Sequence, residues 1–266
     1  MNNILQVDKL FYKVEDSSLL GLNKREKTIL KNITFNLERG GILGIAGESG
    51  SGKTTLAKIL AGALPNYEGT ISFNISEEWK NLKVSPVQIL FQNNGEILNP
   101  LRSVNSIVEE AIFIRTNNKK IIADEKGKIF ASLNFPDELW NRKGYELSGG
   151  EQQRAALARI MAVNPEILIL DEPFSAQDAE SQLNLLTLFK NINKSFGTTM
   201  ICIAHNLKIL RKLCDRVLIL YKGEIVEQGN TEKILSSPQH PYTGFLLNAE
   251  NYNLTYEELK TISLKT

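Results

Sequence analysis

The run Gly47-Glu48-Ser49-Gly50-Ser51-Gly52-Lys53-Thr54 constrains this chain more than any other stretch. It fits the spacing Gly, four residues, Gly, Lys, Ser or Thr. Before it stands Gly41-Ile42-Leu43-Gly44-Ile45-Ala46, an apolar run as for a buried parallel strand; after it Leu56, Ile59 and Leu60 recur at helical spacing. Glycines admit backbone conformations closed to other residues and keep Cβ atoms away from an anion. Loop amides and the positive end of the helix then converge on one phosphate group. The fold must therefore contain a strand, a glycine loop and a helix in that order. Residues 47–54, with Thr55 beside them, are the candidate nucleotide-binding set, Lys53 reaching the outer phosphates and Thr54 ligating Mg²⁺.

The rest of the chain repeats that alternation. Ile4 to Val7, Leu10-Phe11-Tyr12, Thr28 to Leu37, Gly69 to Ile75 and Val87 to Phe91 read as strands. The polar stretch from Asp16 to Lys27 reads as a loop. Asn93-Asn94-Gly95 and Leu98-Asn99-Pro100 are turn signals, and Ser106 to Trp140 has helical spacing with interruptions. A helix is expected from Glu151 to Val163, an apolar strand over Glu166 to Glu172 ending in two carboxylates, and an amphipathic helix from Ala179 to Ser195. A buried strand from Thr199 ends at His205; Val217 to Glu227 is a hairpin about Lys222-Gly223; Pro241 to Thr266 is mostly helical. The class is α/β, with a mainly parallel sheet. Ligands in such sheets bind at the carboxyl ends of strands. The phosphate loop, Gln92, Asp171-Glu172 and His205 each follow a strand, so one strand order can bring all four to one edge.

Composition excludes more than it selects. The 266 residues carry a net charge of +1, which gives no electrostatic footprint for nucleic acid or an anionic membrane. The two cysteines, Cys202 and Cys214, make neither a disulfide framework nor a metal cluster, as expected of a reducing compartment. No run is apolar for long enough to span a bilayer, and the first residues lack a signal-peptide pattern. Any role in a membrane process is thus expected to be from outside the lipid.

Singly, the remaining features have ordinary explanations. Asp171-Glu172 reads equally as a solvated acidic turn, His205 as a hydrogen-bonded core residue, Tyr12 as a packing aromatic and Leu147-Ser148-Gly149-Gly150 as a helix N-cap. His240 reads as a surface residue. Their order changes the reading. The phosphate loop, Leu147-Ser148-Gly149-Gly150-Glu151-Gln152-Gln153-Arg154, Ile167 to Glu172, Ser175-Ala176-Gln177-Asp178 and His205 together resemble the nucleotide-binding subunits of ABC transporters over nearly the whole chain.

That resemblance implies a RecA-like phosphate-loop core, an N-terminal antiparallel β subdomain and an inserted helical subdomain. The expected ATPase domain is residues 1–240, with core 1–92 and 160–240, helical subdomain 93–159 and tail 241–266. It implies that Asp171, Gln92 and Thr54 serve Mg²⁺, that Glu172 polarises the attacking water and that His205 contacts the γ-phosphate. Tyr12, or failing it Phe11, stacks on adenine. Ser148, Gly149 and Gly150 bind the ATP held by a second ATPase subunit. Leu98-Asn99-Pro100, His240-Pro241-Tyr242-Thr243 and the polar insert before Ile29 resemble oligopeptide, dipeptide and nickel importers. The implied partners are a related, non-identical ATPase, two permease subunits and, indirectly, an extracellular solute-binding protein, with no nucleic acid. The implied location is the cytoplasmic face of the membrane. Glu151, which stands where glutamine is commoner, pulls toward lipoprotein-type exporters; a soluble ABC ATPase is the other alternative. Gln177, Asn206 and Asn93-Asn94 also depart from the usual pattern.

Overall fold

Wholly buried apolar runs set the strands: Ile42–Ala46, Ile167–Asp171 and Thr199–Ile203 are buried at every position. Such runs suit strands covered on both faces, where alternation is lost. The computed structural model describes residues 2–17, 24–82, 84–91, 98–175 and 177–252. It divides into two units: Met1–Ile4, Glu38–Gly40 and Asn74–Ile201 form the first, and Leu5–Leu37, Gly41–Phe73 and Cys202–Thr266 the second.

The second unit holds two sheets. Strands β1 (Asn3–Ser17), β2 (Lys24–Glu38) and β4 (Glu68–Phe73) lie in the order β2-β1-β4, with β1 and β4 antiparallel. Strand β3 (Ile42–Ala46) runs parallel to β8 (Arg216–Tyr221), and β9 (Glu224–Asn230) is antiparallel to β8. Helix α1 (Lys53–Leu60) follows β3, and α6 (Leu207–Leu213), α7 (Thr231–Ser236) and α8 (Pro241–Tyr252) complete the unit.

β1 differs from expectation in two ways. Ile4 to Tyr12 is one strand with a bulge, where Lys9 takes φ 49° and the register slips between Asp8 and Phe11. Residues 16–17 and 24–27 are strand rather than loop. Their polar composition hid this: Lys13 lies 3.6 Å from both Glu26 and Glu68, so charge pairs occupy positions that a buried ladder would fill with apolar residues. Residues 18–23 lie outside the described residues.

In the first unit β5 (Val87–Leu90) and β6 (Ile167–Asp171) are parallel, Val87 opposite Ile167, and β7 (Thr199–Ile203) carries the chain into the second unit. The helical portion comprises α2 (Val104–Phe113), α3 (Lys119–Ser132) and α4 (Gly149–Ala162), with α5 (Ala179–Phe196) after β6. Phe130 is fully buried among them, 5.3 Å from Phe135 and 4.6 Å from Trp140. At the base of β6, Glu166 accepts the Ser76 amide at 2.6 Å and pairs with Arg39, whose guanidinium also meets the Asn74 carbonyl. Burial acts to raise the Glu166 carboxyl, but the bonds from Ser76 and the charge of Arg39 outweigh it and hold the pKa below the usual value.

Candidate functional site

In the second unit, β3 aims the chain into a loop closed by its own backbone. The Ser51 amide donates to the Glu48 carbonyl at 3.2 Å, and the Gly223 amide to the Ser51 carbonyl at 3.1 Å. Gly47 sits at φ 150°, and a Cβ there would lie 2.2 Å from the Leu220 carbonyl oxygen, so only glycine fits. Lys53 is 8% exposed and folds back, Nζ donating to the carbonyls of Gly47 and Glu48 at 2.8 Å each. Thr54, Ser49 and Gly50 face solvent, and Thr55 is half-buried.

Two features of this loop fit a phosphate ligand. Helices α2 through α7 each begin with a side-chain cap, from Ser103, Asn118, Ser148, Asp178, Asn206 and Asn230. α1 begins at Gly52 with no side-chain cap, and a helix start needs acceptors for its first amides. The hydroxyl of Ser51 is buried with no hydrogen-bond partner. A polyanion supplies acceptors for such groups.

His205 is exposed two residues beyond β7, and the amide of the intervening Ala204 donates to the Ile45 carbonyl of β3 at 3.3 Å. The ends of β7 and β3 therefore lie side by side, and His205 and the phosphate loop leave from the same edge. Asn206, where aspartate is usual, does a cap's work, accepting the Ile209 amide at 3.1 Å. Tyr12 is half-buried on β1.

Sequence reasoning missed one residue here. The Glu48 amide donates to the Tyr242 hydroxyl at 2.9 Å, so a residue of α8 reaches the phosphate loop. His240, expected at the surface, is half-buried and accepts the Tyr242 amide at Nδ1, 3.2 Å away. The motif His240-Pro241-Tyr242-Thr243 was visible, but nothing in it names its contact.

In the first unit, Asp171 ends β6 at 6% exposure. Glu172 follows at φ 53°, a left-handed conformation uncommon for a residue with a side chain and frequent at functional turns. Its carbonyl accepts the Ser175 amide at 3.2 Å and the Ser175 hydroxyl at 2.7 Å, which fixes the turn. Gln153 of α4, 4% exposed, donates to the Pro173 carbonyl at 3.1 Å and ties the signature helix to that turn. Asp178 caps α5 through the Ser181 amide at 2.8 Å.

Ser148, Gly149 and Gly150 lie exposed at the start of α4. The helix-cap reading of this stretch holds, because Ser148 caps α4. The Glu151 amide donates to the Ser148 hydroxyl and the Ser148 amide to the Glu151 carboxylate at 2.7 Å. Those bonds hold the Glu151 carboxyl below its usual pKa. The unusual glutamate of the signature is thus half of a reciprocal capping box. Gln92 lies outside the described residues.

A buried strand, a glycine loop and a helix without a side-chain cap, in that order, define a phosphate-loop nucleotide-binding protein. Residues 30–175 match the family model described as ABC transporter. The chain is 34% identical to the dipeptide transport ATP-binding protein DppF of Haemophilus influenzae, over 95% of this chain and 80% of that protein. It is also 34% identical to the oligopeptide transport ATP-binding protein OppF of Streptococcus pyogenes, over 86% of this chain and 78% of that one. Among solved structures, cbiO1 from Clostridium perfringens, part of the transporter complex cbiONQ, superposes with a TM-score of 0.76 at 24% identity, covering 99% of each chain. The dimeric post-hydrolysis state of the cassette MJ0796 with ADP and Pi gives 0.70 at 23%, covering 85% of this chain and 98% of that one. The chain belongs to the ABC transporter family, and its fold is that of an ABC ATPase. It binds ATP and is an ATPase. No helix among the described residues is long and apolar enough to cross a membrane.

Proposed function

We propose that this chain energises the import of peptides, as one of two ATP-hydrolysing subunits beneath a pair of permeases on the cytoplasmic face of the membrane. The supporting observation for peptides is the naming of its relatives as dipeptide and oligopeptide transport proteins. The support for ATP hydrolysis is the phosphate loop, whose helix lacks a cap of its own.

The residue roles are those the family resemblance implies, and the chemistry of each residue supports them. Lys53 exchanges the carbonyls of Gly47 and Glu48 for phosphate oxygens, a stronger, charge-assisted pairing. Mg²⁺ of this kind needs only one or two protein ligands besides phosphates and water. The family resemblance assigns this role to the Thr54 hydroxyl, the Asp171 carboxylate and Gln92, and the ion would neutralise charge on the phosphates. Glu172 orients and polarises the attacking water, held in place by the strained turn. His205 supports the γ-phosphate, and Tyr12 stacks on adenine. Ser148, Gly149 and Gly150, exposed at a helix start, complete the site of a second subunit, so each ATP lies between two chains. Residues 93–159 form the helical subdomain that signals to the permeases, and an extracellular binding protein delivers the solute.

Reconstitution tests this reading. Proteoliposomes carrying this chain, its ATPase partner and two permeases should hydrolyse ATP faster when a peptide-loaded binding protein is added, and should take peptide inward. ATP-driven movement only in the opposite direction would reject it.

A further inference from the structure

The hydrogen bond from the Glu48 amide to the Tyr242 hydroxyl joins the phosphate loop to a residue far outside its motif. That hydroxyl is held in place. The Tyr242 ring is 9% exposed and stacks on Tyr221 with centroids 4.0 Å apart. Its backbone amide donates to His240 Nδ1, and the amides of Gln239 and His240 donate to the Glu227 carboxylate at 2.9 and 3.2 Å. A tyrosine fixed by its ring and by its backbone presents its oxygen in one place.

The group it grips is the peptide unit between Gly47 and Glu48. The N–H of that unit goes to Tyr242 and its carbonyl, Gly47 O, accepts from Lys53 Nζ at 2.8 Å. The two holds have different fates. On the reading of the loop as the ATP site, Lys53 leaves Gly47 O for the phosphates. Tyr242 then remains to stop the peptide rotating. A rotated peptide would put an amide hydrogen where an oxygen now stands, and would repel the lysine on its return. Gly47 has no side chain to resist that rotation.

We propose that Tyr242 is a positioning residue for nucleotide binding, its hydroxyl fixing the Gly47–Glu48 peptide of the phosphate loop. The inference rests on the loop being the ATP site, and it makes the C-terminal helix part of that site.

The test is Tyr242→Phe in the full chain, which keeps the ring and its stack and removes one oxygen. A neutral hydrogen bond of ordinary strength corresponds to roughly 3- to 10-fold in binding. Titration with ATP and magnesium chloride should therefore show Kd raised by about that factor, and KM for ATP in the assembled transporter should rise while kcat stays near wild type. The melting temperature without nucleotide should move little, and the rise on adding ATP should shrink. His240→Ala, which loosens the tyrosine's backbone but spares its hydroxyl, should give a smaller loss of the same kind. Wild-type affinity in Tyr242→Phe, equal destabilisation with and without ATP, or failure to fold would each overturn the proposal. Failure of the unaltered chain to bind ATP would overturn the reading of the loop, and this inference with it.

Discussion

Gly47→Ala and Gly50→Ala change the same loop by one methyl group and should differ widely in cost. Gly50 sits at φ 80°, and a methyl group added there would have nothing within 4 Å, so alanine meets only the left-handed backbone penalty, about 1–2 kcal/mol. Gly47 sits at φ 150°, and its methyl would lie 2.2 Å from the Leu220 carbonyl oxygen and 2.8 Å from Ser51 Oγ. Contacts of Cβ below 3.0 Å do not persist, so the Leu220 carbonyl must retreat by nearly an ångström. Leu220 is fully buried and opposite Ile225 in the β8–β9 pairing, which resists that movement. Backbone strain of about 1–3 kcal/mol and overpacking of about 1–3 kcal/mol together make roughly 2–6 kcal/mol. That is a large share of the stability of a typical domain, about 5–15 kcal/mol. Urea unfolding of the isolated chain without nucleotide measures both variants free of any effect on catalysis. Equal midpoints for the two, or a Gly50→Ala less stable than Gly47→Ala, would refute the claim that β8 packing, as well as phosphate, requires glycine at position 47.

Other outcomes follow from the same geometry. Glu172→Gln should bind ATP normally and slow steady-state hydrolysis by roughly 10²–10⁴-fold in the assembled transporter; normal turnover would remove Glu172 as the base. Ser148→Ala removes the hydroxyl that receives the Glu151 amide and should cost about 1 kcal/mol in denaturant unfolding. It should also abolish turnover with a partner while leaving ATP binding by the single chain intact, as equilibrium titration would show. The Glu166 carboxyl is held below its ordinary pKa, so its contribution is present above the unfolded carboxylate range and is lost as pH falls through the folded value. Glu166→Gln should therefore be less stable near neutrality and show a flatter acid limb in stability against pH; an unchanged acid limb would exclude this residue as its source.

What could be read from the sequence depended on where the cause lay. The strand, loop and helix around Lys53 were legible because the motif itself carries their causes: buried apolar residues, glycines at forced angles, then helical spacing. Asp171 was legible as a strand end for the same reason; the strand expected to reach His205 stops at Ile203, two residues short of it. The outer part of the β1–β2 ladder was not, because exposed charged residues such as Lys13 and Glu26 face each other there and leave no apolar alternation to detect. The Ser148–Glu151 box could have been found, since Ser-x-x-Glu before a helix is a capping pattern; comparison with the usual signature drew attention instead to the missing glutamine. The Glu48–Tyr242 contact spans 194 positions and is a fact of tertiary packing that no local pattern encodes.

The glycine at the head of α1 has a consequence for the chain at rest. Every other helix start described from α2 to α7 is finished by its own serine, asparagine or aspartate, whereas α1 starts at Gly52, which has no side chain with which to cap it. On the reading of the loop as the ATP site, the phosphates supply that cap, so amide hydrogens in the first turn of α1 should exchange with solvent more slowly once ATP is present than in the empty chain. On that reading the triphosphate is a piece of secondary structure on loan, returned at each turnover, and the stiffness of this corner of the molecule should rise and fall with the fuel.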